Sequence, residues 1–167
     1  MDIPEIDGFL AYWAKVHGRT RRVIGHIPPD RLEEPFADGR WTLGDLVRHL
    51  AALERYMFAE NVSGRPSLYA GCGRELAEGY EAVVRFFEEK NAETVEILGK
   101  LDPDRLRERC ETPGGASIPV WKWLRAMVEH HAHHRGQIYL LLGLMGVATP
   151  PLYGLTAEQV QERSAEP

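Results

Sequence analysis

The sequence predicts an all-α fold, a bundle of four main helices with a short helix near the C-terminus. Three observations carry this. Long stretches repeat their apolar residues at three- and four-residue steps, the period of a helix with one buried face. Clusters of Pro, Gly and Asp fall between those stretches, where helices stop. No segment alternates apolar and polar residues convincingly, so no strand competes with the helical reading.

The first helix is marked by Ile6, Phe9, Leu10, Trp13, Val16, Thr20, Ile24 and Ile27, and Pro28-Pro29 ends it. Pro, Asp and Gly punctuate the stretch from Pro28 to Arg40, after which Trp41-Thr42-Leu43-Gly44-Asp45 opens the second helix. Thr42 with Asp45 three residues on fits a capping-box variant, in which the acid also complements the positive end of the helix. This helix runs to about Asn61, with Leu46, Leu50, Leu53 and Met57 on one face and His49 near that face's edge. A loop rich in Gly, Ser and Pro follows, through Gly73.

The third helix extends from about Glu75 to Leu101, its stripe supplied by Leu76, Tyr80, Val83, Val84, Phe87, Val95, Leu98 and Leu101. Asp102-Pro103-Asp104 stops it. Glu111-Thr112-Pro113-Gly114-Gly115 reads as a turn, and Pro119 then sits where the first turn of a helix tolerates proline. The fourth helix runs from there to about Leu144, with the stripe Trp123, Met127, His130, His134, Ile138, Leu141 and Met145. Gly146 is placed to close it in a left-handed cap. A docking loop, Pro150-Pro151-Leu152-Tyr153-Gly154, precedes the short helix from about Thr156. Without repeats, low-complexity tracts or a linker, residues 1–167 read as one domain.

Composition narrows the function classes. The chain has 44% hydrophobic and 27% charged residues, which excludes disorder. Its formal net charge is −5, and basic runs such as Arg19-Thr20-Arg21-Arg22 are balanced by Glu33-Glu34, Glu88-Glu89 and an acidic tail, unlike a duplex-DNA binder. There is neither a basic n-region leading into an apolar run nor an apolar segment of roughly 20 residues. A cytoplasmic protein with no nucleic-acid or membrane partner is expected. Cys72 and Cys110 lie too far apart for a local redox or metal motif and read as reduced thiols.

The histidines are the chemical signal. Five of the seven gather in two places, His49 on the second helix and His130, His131, His133 and His134 on the fourth. Residues four apart on a helix differ in direction by about 40° and stand about 6 Å apart along the axis, so His130 and His134 can share one ion. Three imidazoles and an open position suit a reactive divalent metal such as Zn or Ni. His49 is the best third donor, because it projects from the apolar side of another helix. The alternative is that each histidine satisfies itself with a neighbour in the core. His17 could replace or augment the site, and His131, near the other edge of the stripe, reads as a structural or supporting residue, with a ligand role as the alternative. His133 falls outside the stripe, and His26 points to solvent. Arg135 reads as exposed, while Gln137 is positioned to bond a ligand's second ring nitrogen or a substrate.

Glu129-His130-His131-Ala132-His133-His134-Arg135-Gly136-Gln137 resembles the signature of the DinB/YfiT-like family, and the likeness extends to Gly143–Gly146 and to Leu152-Tyr153-Gly154-Leu155-Thr156. The segment from Trp41 to Leu50 resembles the family's other motif, in which a histidine follows a Trp-Ser/Thr helix start. The resemblance implies a four-helix bundle of unusual connectivity, commonly a homodimer, with a divalent metal on His49, His130 and His134. It also implies an enzyme that activates a thiol or water, a thiol S-transferase using a low-molecular-weight thiol or a hydrolase. The alternative is a non-catalytic metal-binding or stress-associated protein. Trp41, Tyr69 and Tyr153 are candidate walls for a small-molecule substrate.

Overall fold

A computed structural model of the chain describes residues 3–165. The helices are α1 (Ile6–Ile24), α2 (Leu43–Leu53), α3 (Ala59–Val62), α4 (Tyr80–Gly99), α5 (Val120–Leu144) and α6 (Ala157–Ala165). A π-helical turn over Glu54–Phe58 joins α2 and α3 into one continuous rod. Among the described residues no helix is long and apolar enough to cross a membrane.

Local chemistry explains where the elements start and stop. Thr42 accepts from the Asp45 N–H while the Asp45 carboxylate accepts from the Thr42 N–H, closing the expected capping box. Gly146 adopts φ 73°, the left-handed cap foreseen after α5. The start of α4 differs from expectation. Residues 74–76 form a separate 3-10 turn, and Gly79 at φ 80° takes a conformation no helix interior allows, so α4 begins at Tyr80.

The expectation of no strand is corrected. β1 (Arg109–Glu111) and β2 (Ser117–Pro119) pair antiparallel across the predicted turn, with Cys110 opposite Ile118. Each strand has three residues, too few for a two-residue alternation to register.

α1 packs on α4 and α5, and α2 also packs on α4 and α5. Around the bundle the order is therefore α1, α4, α2, α5, with α1 diagonal to α2 and α4 diagonal to α5. Two apolar clusters fill it. One gathers Val23, Ile24, Val47, Leu50, Phe87 and Ile138; the other gathers Trp13, Val16, Phe58, Leu98, Leu124 and Met127. Between them lies a layer of buried polar side chains from every main helix: His17 and Thr20, Glu54, Thr94, His131 and Arg135.

Candidate metal centre

The π turn changes the face that α2 presents. It inserts one residue into the helical repeat, so the buried stripe of Leu46 and Leu50 continues through Glu54, Phe58 and Val62, while Met57 is displaced to the edge. His49, a residue before this stripe, is left at the cleft between α2 and α5, only 7% exposed.

His130 and His134 reach the same point from α5. One ring nitrogen from each of the three histidines lies within 4.8 Å of the others. The ring centroids stand 5.1 Å apart for His49 and His130, 4.7 Å for His49 and His134, and 4.4 Å for His130 and His134. Two nitrogens bound to one ion at roughly 2.0–2.1 Å with tetrahedral geometry are separated by roughly 3.3 Å. The Nε2 atoms of His49 and His130 are 3.1 Å apart. The donor set therefore fits a divalent ion that favours imidazole.

Protonation supports the same fit. Burial, then the neighbouring His134, lowers His49 to about 4. Burial followed by His134 and His49 lowers His130 to about 2, and burial also lowers His134. At neutral pH all three are neutral imidazoles with a lone pair to offer.

Two neighbours fix which nitrogen carries it. The Gln137 side-chain oxygen, 2.6 Å from His134 Nδ1, can only accept, so Nδ1–H donates and Nε2 holds the lone pair. His49 Nδ1 lies 2.8 Å from the Tyr69 hydroxyl, and donation to that oxygen leaves the His49 Nε2 lone pair facing His130. Trp41 covers the pair, its ring 4.5 Å from His49 and 6.1 Å from His134. Of the three aromatics read as walls, Trp41 and Tyr69 are at the site. Tyr153 is 76% exposed and lies under Arg19.

The remaining histidines and Arg135 take the following places. His17 stacks on Phe87 at 4.4 Å and is not part of the three-histidine cluster. His131 is fully buried against Trp13, with Nε2 3.3 Å from Glu54 Oε2, so it faces the core and not the site. Arg135, expected at the surface, is buried and donates to the Val16 carbonyl and the Thr20 hydroxyl. The buried residues of α5 are Val120, Leu124, Met127, His131, His134, Arg135, Ile138 and Leu142, so Met127, His134 and Ile138 of the expected stripe are buried, while Trp123, His130, Leu141 and Met145 give way to Leu124, His131 and Leu142. His133 and His26 are exposed, as expected.

Arg48 escaped the sequence reading altogether. Fully buried, it donates to both oxygens of Glu33, to Asp45, and to the carbonyls of Cys72 and Ala77. It ties to α2 both the segment that carries Trp41 and the loop that carries Tyr69. The signal in the sequence was slight: an arginine inside an otherwise apolar helical run, next to His49.

Beside His134 a cleft of about 450 Å³ opens, walled by Phe36, Trp41, Leu46 and Leu141. Arg40 and Gln137 supply its polar edge.

Comparison with known proteins agrees with this architecture. The DinB family profile matches residues 5–166. A DinB-like protein from Bacillus cereus ATCC 10987 superposes with a TM-score of 0.74 at 22% identity, covering 90% of this chain and 99% of that one. YfiT from Bacillus subtilis, described as a probable metal-dependent hydrolase with an unusual four-helix bundle topology, gives 0.66 at 19% identity, with coverage of 86% and 89%. A mycothiol-dependent maleylpyruvate isomerase gives 0.63 at 17% identity, with coverage of 80% and 60%. These likenesses show a shared fold.

Proposed function

The chain belongs to the DinB family, and from that membership together with the convergent histidines we propose a divalent-metal-dependent enzyme that acts on a small molecule through an activated thiol or water, as a thiol S-transferase or a hydrolase. The observation that carries the reading is the meeting of three neutral imidazoles at the mouth of a small-molecule-sized cleft. His49, His130 and His134 would hold the ion, Zn or Ni foremost. Bound there, the ion would supply Lewis acidity that keeps a thiol or water in its anionic form near neutral pH.

The chain's own residues do the rest. Gln137 and Tyr69 hold the tautomers of His134 and His49. Trp41, Phe36 and Leu46 give the cleft beyond His134 apolar walls, and that cleft would receive the electrophile. Burial raises both Cys72 and Cys110, and neither lines the cleft, so neither thiol is placed to serve as the nucleophile. The descriptions of YfiT as a probable metal-dependent hydrolase and of the isomerase as mycothiol-dependent support the two chemistries named. The same reading includes a homodimer and a low-molecular-weight thiol as partner.

One observation favours a second reading, a non-catalytic metal-binding protein: the residues lining the cleft include no carboxylate to serve as acid or base. Cobalt-substituted protein titrated with a panel of low-molecular-weight thiols separates the two. The enzyme reading predicts a thiolate-to-cobalt absorption band and turnover with one of the thiols. Unchanged spectra and no turnover across the panel would favour the binding protein.

A further inference from the structure

We propose that the cleft beside His134 takes a small molecule bearing a carboxylate on an apolar body, and that Arg40 is the residue that reads the charge. The inference rests on the reading of the three histidines as a reactive centre, since the cleft is where a substrate would approach it.

The cleft's walls are apolar, and its polar groups are all donors or neutral. Arg40 lines it, no acidic residue does, and its volume of about 450 Å³ suits a compact organic molecule. Several arginines elsewhere are committed to carboxylates, Arg48 to Glu33 and Asp45, Arg55 and Arg65 to Glu60, Arg105 to Glu108, and Arg40 is the arginine that lines this cleft. Among the described residues Arg40 pairs with no carboxylate. Its backbone is held in place, and its side chain is exposed and free to turn into the cleft. Its N–H donates to the Ala37 carbonyl across a turn that Gly39 makes possible at φ 67°, and the Thr42 cap follows two residues later. Gln137 adds to the asymmetry. Its oxygen is occupied by His134, so its amide N–H donors are what it can offer the cleft.

A guanidinium fork matched by a carboxylate gives two parallel charge-assisted hydrogen bonds, while Trp41, Phe36, Leu46 and Leu141 cover an apolar remainder. Neither contact involves the histidines, so the preference for an acid is a property of the cleft itself.

The test is calorimetric titration of chelator-treated wild-type protein and Arg40→Gln with phenylbutyrate and with phenylbutanol, which differ only in the charged end. Working without metal removes direct coordination of the carboxylate. It also separates this proposal from the metal reading, which metal-content measurements decide. Wild type is expected to bind the acid about tenfold or more tighter than the alcohol. In Arg40→Gln the acid should weaken to near the alcohol's affinity while alcohol binding is unchanged. Equal binding of acid and alcohol to wild type, no binding of either, or an acid preference that survives the substitution would overturn the proposal.

Discussion

Glu54 sits in the π turn at mid-height of the bundle with no exposed surface. Asn91 donates to its Oε1 at 3.0 Å, and its Oε2 faces His131 Nε2. Burial pushes Glu54 up to about 8 and His131 down to about 3, so at neutral pH the two meet uncharged. The folded chain therefore retains a proton that the unfolded chain, with an ordinary value of 4.5, releases. The stability contributed is complete below the unfolded value and is lost as pH rises through the folded one. Glu54→Gln keeps the shape and the Asn91 bond but cannot titrate. In chelator-treated protein, the Tm of wild type relative to this variant should fall as pH rises from about 5 to about 8; a constant difference would contradict a neutral buried acid. Residues of this kind resist reading from sequence, because apolar periodicity is blind to a polar side chain in the core. His130 and His134 were legible for the opposite reason: helix geometry alone puts residues four apart on one side. Arg135 was placed wrongly because neighbours on a helix differ by about 100° and a residue one position past the edge of a stripe is easily taken for an exposed one.

The helices themselves were readable where their ends carry chemistry. The Thr42–Asp45 box and Gly146 gave boundaries that the structure reproduces. The π turn was not readable, since one inserted residue changes which face is buried without changing the composition of the run. The β1–β2 hairpin was too short to show. The link from α1 to α2 looked like unstructured punctuation, yet Glu33 within it binds Arg48. Despite its burial, which alone would raise it, Glu33 is held below the usual carboxylate value by Arg48 and Thr42. Arg48→Ala would leave Glu33 and Asp45 without their buried partner. The expected cost is about 3 kcal/mol of unfolding free energy by denaturant titration, with loosened packing of Trp41 over His49. Unchanged stability would mean that the two loops are held to α2 by other contacts.

At the scale of the whole molecule, a helical bundle was evident from the number and length of the periodic segments, but the order of helices around it was not. Any cyclic arrangement buries the same stripes, and the diagonal placement of α1 and α2 follows from long-range packing that one sequence does not display. That arrangement sets α2 against α5 and so brings His49 to His130 and His134. It also gathers the polar layer of His17, Glu54, Thr94 and Arg135, contributed by all the main helices, into the core between the two apolar clusters. The central claim is that this arrangement holds a divalent ion. It is tested most directly by elemental analysis of protein purified without a histidine tag or chelator, alongside His134→Ala. Near-stoichiometric Zn, Ni or another divalent ion in the wild type, lost in the variant, is the predicted result; a wild-type chain that stays metal-free after reconstitution, or a variant that keeps full occupancy, would contradict it.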